Sequence, residues 1–266
     1  MRRLLILLNI IMLLLVLFIA FVIHNSSALV WQETELLPTG LRTDMLHLVP
    51  GFSGISETTG ITYTVNNWGY RDDIIDWTKR HVLFLGDSTT FGLNIEHRNT
   101  YAEVWEHLVD DNWQAVNTGV PGRGLRSSYE ILQLMLAKGL EPEWVVIGVH
   151  STDPRNDSPE KDELISLGYL GRSINLSRYY GANVLVLYIA NESETETDSF
   201  FALLSQDYTA GCNTLFINAA WVYREYMDTN GYIAPPNGFY SVPGDMGHPG
   251  ILSSRLIGEA LAEVIP

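Results

Sequence analysis

The 266 residues include 46% hydrophobic and 11% aromatic side chains, enough apolar mass for a real core and too much for a disordered chain. Acidic residues outnumber basic ones 31 to 16, a formal charge of −15, so nucleic acid is a poor partner for this surface. Cys212 is the only cysteine, which excludes an intrachain disulfide in any compartment.

The first predicted element is a run of 20 apolar residues at 4–23, interrupted only by Asn9. As a helix it spans roughly 30 Å, the thickness of a bilayer's hydrocarbon core. Arg2 and Arg3 precede it and no basic residue follows until Arg42, an asymmetry that keeps the N-terminus cytoplasmic and sends the rest outside. Residues 1–28 are therefore expected to be a membrane anchor, making a single-pass protein with its domain periplasmic or at the cell surface. The alternative is a signal peptide cleaved near Ser26-Ser27-Ala28, giving a secreted protein. Setting Arg2 and Arg3 aside leaves 14 basic residues against 31 acidic ones, a formal charge of −17 on the outward part.

Residues 29–78 are rich in Gly, Thr and Ser, with a β-prone piece at 61–65 and a turn signal at Asn66-Asn67-Trp68-Gly69. Trp31, Phe52, Tyr63, Trp68 and Tyr70 make the segment more aromatic than a linker, so an ordered β-rich extension packed on the main domain is expected.

From His81 onward, short continuous apolar runs at 82–85, 115–116, 144–149, 184–189 and 214–217 alternate with helix-length segments at 99–110, 127–138, 160–180, 198–210 and 249–263. Apolar runs of this kind suit parallel strands buried on both faces. The alternation predicts a doubly wound α/β fold over 79–266, a three-layer α/β/α sandwich with about five parallel strands. Such sheets bind ligands at the carboxyl ends of their strands, so the residues just after each strand matter most.

After the first of these strands, Leu85-Gly86-Asp87-Ser88-Thr89-Thr90-Phe91-Gly92 places Ser88 where the chain turns from strand to helix. A serine there commonly caps the helix. It can also be a nucleophile, if an imidazole accepts its proton and a carboxylate fixes that imidazole. Asp245-Met246-Gly247-His248-Pro249, in a loop before the last helix, supplies both partners within four residues, and Pro249 suits a helix's first turn.

These blocks resemble the GDSL/SGNH hydrolases over the last 185 or so residues. Val82-Leu83-Phe84-Leu85-Gly86-Asp87-Ser88 resembles the family's nucleophile block, and Asn117-Thr118-Gly119-Val120-Pro121-Gly122 its second block, whose glycine amide contributes to the oxyanion hole. Asp245, His248 and Pro249 resemble the last block. Val65-Asn66-Asn67-Trp68-Gly69-Tyr70-Arg71 is similar to a segment that precedes the core in one branch of the superfamily. The resemblance implies a flavodoxin-like SGNH fold, Ser88 as nucleophile, His248 as base, Asp245 as its support and Gly122 as an oxyanion donor. The third block departs from the family: its usual Asn-Asp pair after the third strand is replaced by Ser151-Thr152-Asp153-Pro154-Arg155-Asn156-Asp157. Strand length aligns Thr152 with the missing donor, whereas the literal dipeptide aligns Asn156.

The expected activity is serine-dependent ester hydrolysis through an acyl-enzyme, on a small-molecule, lipid or glycan ester outside the cytoplasm. O-acyl transfer to an envelope polysaccharide and a catalytically weakened binding protein of the same fold are alternatives. A metal-dependent phosphoesterase built on Asp87, Asp153, Asp157 and Asp245 is a remote one. No cofactor or metal is expected: His47, His81, His97 and His107 show neither metal-ligand spacing nor surrounding carboxylates. His150, ending the third strand, reads as a packed bystander. Trp221, Tyr223, Tyr226, Tyr232, Phe239 and Tyr240 read as core or lid packing before they read as a stacking platform.

Overall fold

Strand β1 (Ser53–Ile55) and strand β2 (Thr62–Thr64) pair antiparallel, with Ser53 opposite Thr64. The computed structural model describes residues 41, 46–150, 153, 163–189, 214–232, 238–241 and 247–266. The apolar run 4–23, the expected helix 198–210 and the residues Thr152, Asn156 and Asp245 lie outside these. Among the described residues no helix is long and apolar enough to cross a membrane.

The main sheet is formed by β3 (Arg80–Leu85), β4 (Trp113–Asn117), β5 (Trp144–His150), β6 (Asn183–Ile189) and β7 (Thr214–Asn218), all parallel, in the spatial order β4-β3-β5-β6-β7. Successive side chains point to opposite faces. Leu83, Leu85, Val145, Ile147, Val149, Val184 and Val186 enter one core with α3 (Leu125–Ala137) and α4 (Glu163–Tyr179). Val82, Phe84, Val146, Leu185, Leu187 and Ile189 enter the other, with α2 (Tyr101–Leu108), α5 (Ala219–Asn230) and α6 (Ile251–Ala262). The three-layer sandwich follows from that alternation. Helix α6 comes so close to α2 that a Cβ on Gly258 would lie 2.5 Å from Val104 Cγ1.

The first strand of the sheet, β3, sits between β4 on one side and β5 on the other. The chain therefore leaves β3 in one direction and later returns on its far flank, which opens a crevice at the strands' carboxyl ends. Helix α1 (Ser88–Phe91) starts there. Helix α5 was not anticipated from sequence; Asn218 caps it by accepting the Ala220 N–H at 2.9 Å, and Gly231 ends it.

Residues Leu36–Pro266 cluster as one unit. Within it the 46–78 segment consists mainly of turns, with only the two three-residue strands. Leu48, Tyr63 and Val65 from this segment pack with Phe91 and Leu93, the residues that follow Ser88. The Tyr63 and Phe91 rings stack at 5.5 Å.

Candidate active site

Ser88 is not the cap of its helix. Asp87 is, its Oδ1 accepting the Thr89 N–H at 2.9 Å and the Thr89 hydroxyl at 2.7 Å. The Ser88 side chain instead lies 2.8 Å, Oγ to Nε2, from His248. That distance lies within hydrogen-bond reach of a serine hydroxyl and an imidazole acceptor.

The turn carrying Ser88 is held from three strands. Thr90 fits against two glycines, since a Cβ on Gly86 would approach its Oγ1 to 1.9 Å and one on Gly148 to 2.6 Å. The Tyr101 hydroxyl donates to the same Oγ1 at 2.7 Å. From β4, the Asn117 amide donates to the Thr90 carbonyl at 2.8 Å, and its Oδ1 accepts the Gly119 N–H at 3.0 Å. Gly119 lies so close that an added Cβ would sit 2.3 Å from the Phe91 nitrogen. Close packing of this kind leaves the Ser88 turn one conformation.

Arg71 holds the far end of the same turn. It is 1% exposed, and its guanidinium donates to the carbonyls of Gly92 at 2.6 Å, Ile95 at 2.7 Å, Phe91 at 3.2 Å and Thr62 at 3.3 Å. It also stacks over Tyr63 at 4.3 Å. Burial lowers its pKa to about 10, so it stays charged at neutral pH.

The His248 loop is pinned by backbone pairing of 238–241 with 248–252. Ser241 N–H donates to the His248 carbonyl at 3.1 Å, Gly250 N–H to Phe239 at 2.9 Å and Leu252 N–H to Gly238 at 3.1 Å. Tyr240 and Pro249 form an antiparallel bridge. The Asn94 amide reaches the Ser241 hydroxyl at 3.3 Å, which ties the chain after Ser88 to the chain beside His248. The 239 ring stacks with Tyr232 and meets Tyr223 and Tyr226 edge-on, so this aromatic set packs largely on itself.

Of the predicted site residues, Ser88 and His248 are therefore brought together. Gly122 lies in the loop after β4 at φ 68°, two residues beyond Val120, whose N–H donates to the Gly86 carbonyl at 3.1 Å. Asp245 and the two candidates for the third oxyanion donor, Thr152 and Asn156, fall outside the described residues. At the end of β5 the His150 N–H donates to Asp153 Oδ2 at 2.9 Å. Asp87 and Asp153 are thus both engaged with nearby backbone or hydroxyl groups.

One expectation fails. His97 was read as lacking surrounding carboxylates, yet Asp72 and Glu103 lie beside it, with all three ligand-capable atoms within 4.8 Å of one another. Sequence spacing gave no hint, because the three come from the extension, a 3₁₀ turn at His97–Asn99 and the first turn of α2. Arg71, Asn94 and Asn117 were likewise not assigned roles from sequence.

No family model matches the chain, and no curated protein does. Solved structures do. A lipolytic protein of the G-D-S-L family from Veillonella parvula superposes with a TM-score of 0.53 at 13% identity, over 70% of this chain and 98% of that one. The esterase EstA from a Pseudoalteromonas species, in a structure inhibited by monoethylphosphonate, gives 0.52 at 15% identity, over 70% and 97%. An acetylxylan esterase from Geobacillus stearothermophilus gives 0.52 at 15% identity, over 71% and 95%. The chain has the fold of the GDSL/SGNH hydrolases.

Proposed function

We propose that this protein is a serine ester hydrolase acting through an acyl-enzyme. The observation that carries the reading is the 2.8 Å approach of His248 Nε2 to the Ser88 hydroxyl at the carboxyl end of β3. In this mechanism Ser88 Oγ attacks an ester carbonyl while His248 takes its proton, and the tetrahedral oxyanion is stabilised by the Ser88 and Gly122 amides. His248 returns the proton to the leaving alcohol. Water, deprotonated by the same imidazole, then attacks the acyl-enzyme and frees Ser88. Asp245, three residues before His248, is assigned the carboxylate that fixes the imidazole's tautomer, and Thr152 or Asn156 the further oxyanion donor.

Acylated carbohydrate or lipid outside the cytoplasm is the proposed substrate class. It is supported by the apolar run behind Arg2 and Arg3 and by structural relatives that include a lipolytic protein and an acetylxylan esterase. An anchored domain facing outward would meet envelope or extracellular glycans first.

A panel of p-nitrophenyl acetate, longer-chain esters and acetylated glycans tests both parts. Ester cleavage that disappears in Ser88→Ala supports the reading, and a chain-length or glycan preference identifies the substrate. A folded wild-type protein inert toward the whole panel contradicts it. Location is tested separately with a reporter fused at the C-terminus that folds only outside the cytoplasm; a silent reporter contradicts the outward orientation.

A further inference from the structure

A second polar cluster lies where the 46–78 segment meets α2. Asp72, Glu103 and His97 have side chains 2%, 10% and 20% exposed. His97 Nε2 lies 3.7 Å from Asp72 Oδ1 and 3.5 Å from Glu103 Oε1, and it has no hydrogen-bond partner among the described residues. A neutral imidazole can present a lone pair at Nε2. Presented there, it faces two carboxylate oxygens, and the three atoms share no hydrogen bond from another described residue.

The Arg71 charge reaches the cluster, but its guanidinium donates to backbone carbonyls and not to these carboxylates. The Glu103 carboxylate receives no hydrogen bond from a described residue and lies 3.5 Å from His97 Nε2. Asp72 is better fixed, its Oδ2 accepting the Asn117 N–H at 2.6 Å and its Oδ1 the Asp73 N–H at 2.8 Å. Each of its oxygens keeps a further lone pair. Burial, and then the Glu103 charge, push Asp72 well above the usual carboxylate range. Burial and the neighbouring Glu106 and Asp73 push Glu103 up to about 8, against the opposing charge of Arg71. Burial also pulls His97 down to about 4, so the imidazole brings no charge of its own at neutral pH. Buried acceptors in this state are expensive unless something cationic lies among them.

We propose that Asp72, His97 and Glu103 hold a divalent cation of the zinc type, through one imidazole nitrogen and two carboxylate oxygens. The spacing suits it: bonds of about 2.0 Å in a tetrahedron separate donor atoms by about 3.3 Å, near the two distances seen. Three protein ligands leave a fourth position for water. The ion joins the segment before β3 to α2, and through Asp72 and Asn117 it adjoins the strut that supports Thr90. This site is independent of the ester-hydrolase reading.

The test uses the full chain without a histidine tag. It is stripped with a chelator and titrated with Zn²⁺ by calorimetry, and metal bound to the untreated protein is measured by mass spectrometry. One Zn²⁺ per chain is expected, with binding weakened at least about 100-fold in Glu103→Gln and His97→Gln. No uptake by the wild type overturns the proposal and leaves a cluster that shares protons. Equal uptake by wild type and both variants overturns it too, since the metal then binds elsewhere. Should the variants fail to fold, Co²⁺ added to the stripped wild type decides: strong visible bands of tetrahedral Co²⁺ are expected, and their absence overturns the site.

Discussion

Two buried polar regions lie on either side of Asn117, and they are built on opposite principles. Around Ser88 donors meet acceptors in sequence: Asp87 takes Thr89, Tyr101 gives to Thr90, and Asn117 gives to Thr90 and takes from Gly119. Around His97 acceptors face acceptors. A region of the first kind is complete with this chain's own atoms and is rigid. One of the second kind is stable only with a proton or a cation added. Rigidity suits a nucleophile that must be held near one imidazole, whereas an unsatisfied set of ligands suits a guest.

The largest effect expected is chemical. Ser88→Ala should lower kcat for ester cleavage by at least about 10⁴-fold while leaving the thermal melt nearly unchanged, since only a hydroxyl is lost. A modest loss would mean that Ser88 is another well-satisfied polar residue and not a nucleophile. Arg71→Met comes next. It leaves the carbonyls of Phe91, Gly92 and Ile95 buried without their donor, which should cost about 3 kcal/mol in urea unfolding. Gly119→Ala tests the packing itself. Its Cβ would meet backbone rather than a side-chain tip, so a loss of about 1–3 kcal/mol is expected, together with slower turnover as Phe91 and the Ser88 turn shift.

The smallest effect sharpens the contrast between two histidines. His81 Nε2 lies 3.0 Å from the Asp76 carbonyl, whereas His97 Nε2 faces carboxylates without a hydrogen bond. Burial lowers the His81 pKa below its ordinary 6.5. The unfolded chain then binds that proton more readily than the folded one. Stability is therefore full above pH 6.5 and declines as pH falls through that value. Melting curves of wild type and His81→Asn from pH 7.5 to 5.5 check the sign: the variant should lose less stability on acidification. A larger acid loss in the variant would reverse the assignment.

Much of this was legible in the sequence, for identifiable reasons. Strands β3, β5 and β6 are rich in Val, Ile and Leu buried on two faces, and their burial makes the pattern continuous, whereas the apolar run of β4 is only Ala115 and Val116 and the edge strand β7 is partly exposed. Asp245 and His248 stand three residues apart in the sequence, so the pair was visible as a unit, and the 88–248 meeting followed from the fold. Helix α5 was missed because Ala-Ala-Trp-Val-Tyr-Arg-Glu-Tyr drew attention as an aromatic set, although Asn218 before it and Gly231 after it are ordinary start and stop signals. The Asp72, His97 and Glu103 cluster was not legible. Its members come from three elements, and only tertiary packing decides that they are buried together. Arg71 was quoted as part of a motif, but its carbonyl partners lie 9 to 24 residues away and no local pattern reveals them.

The most direct measurement of the central claim is covalent. A fluorophosphonate probe incubated with the folded protein, followed by peptide mass mapping, should place one adduct on Ser88, formed more slowly at acid pH where His248 is protonated, and none in His248→Ala. A wild-type protein that remains unlabelled at neutral pH, or labels at another serine, would contradict the account.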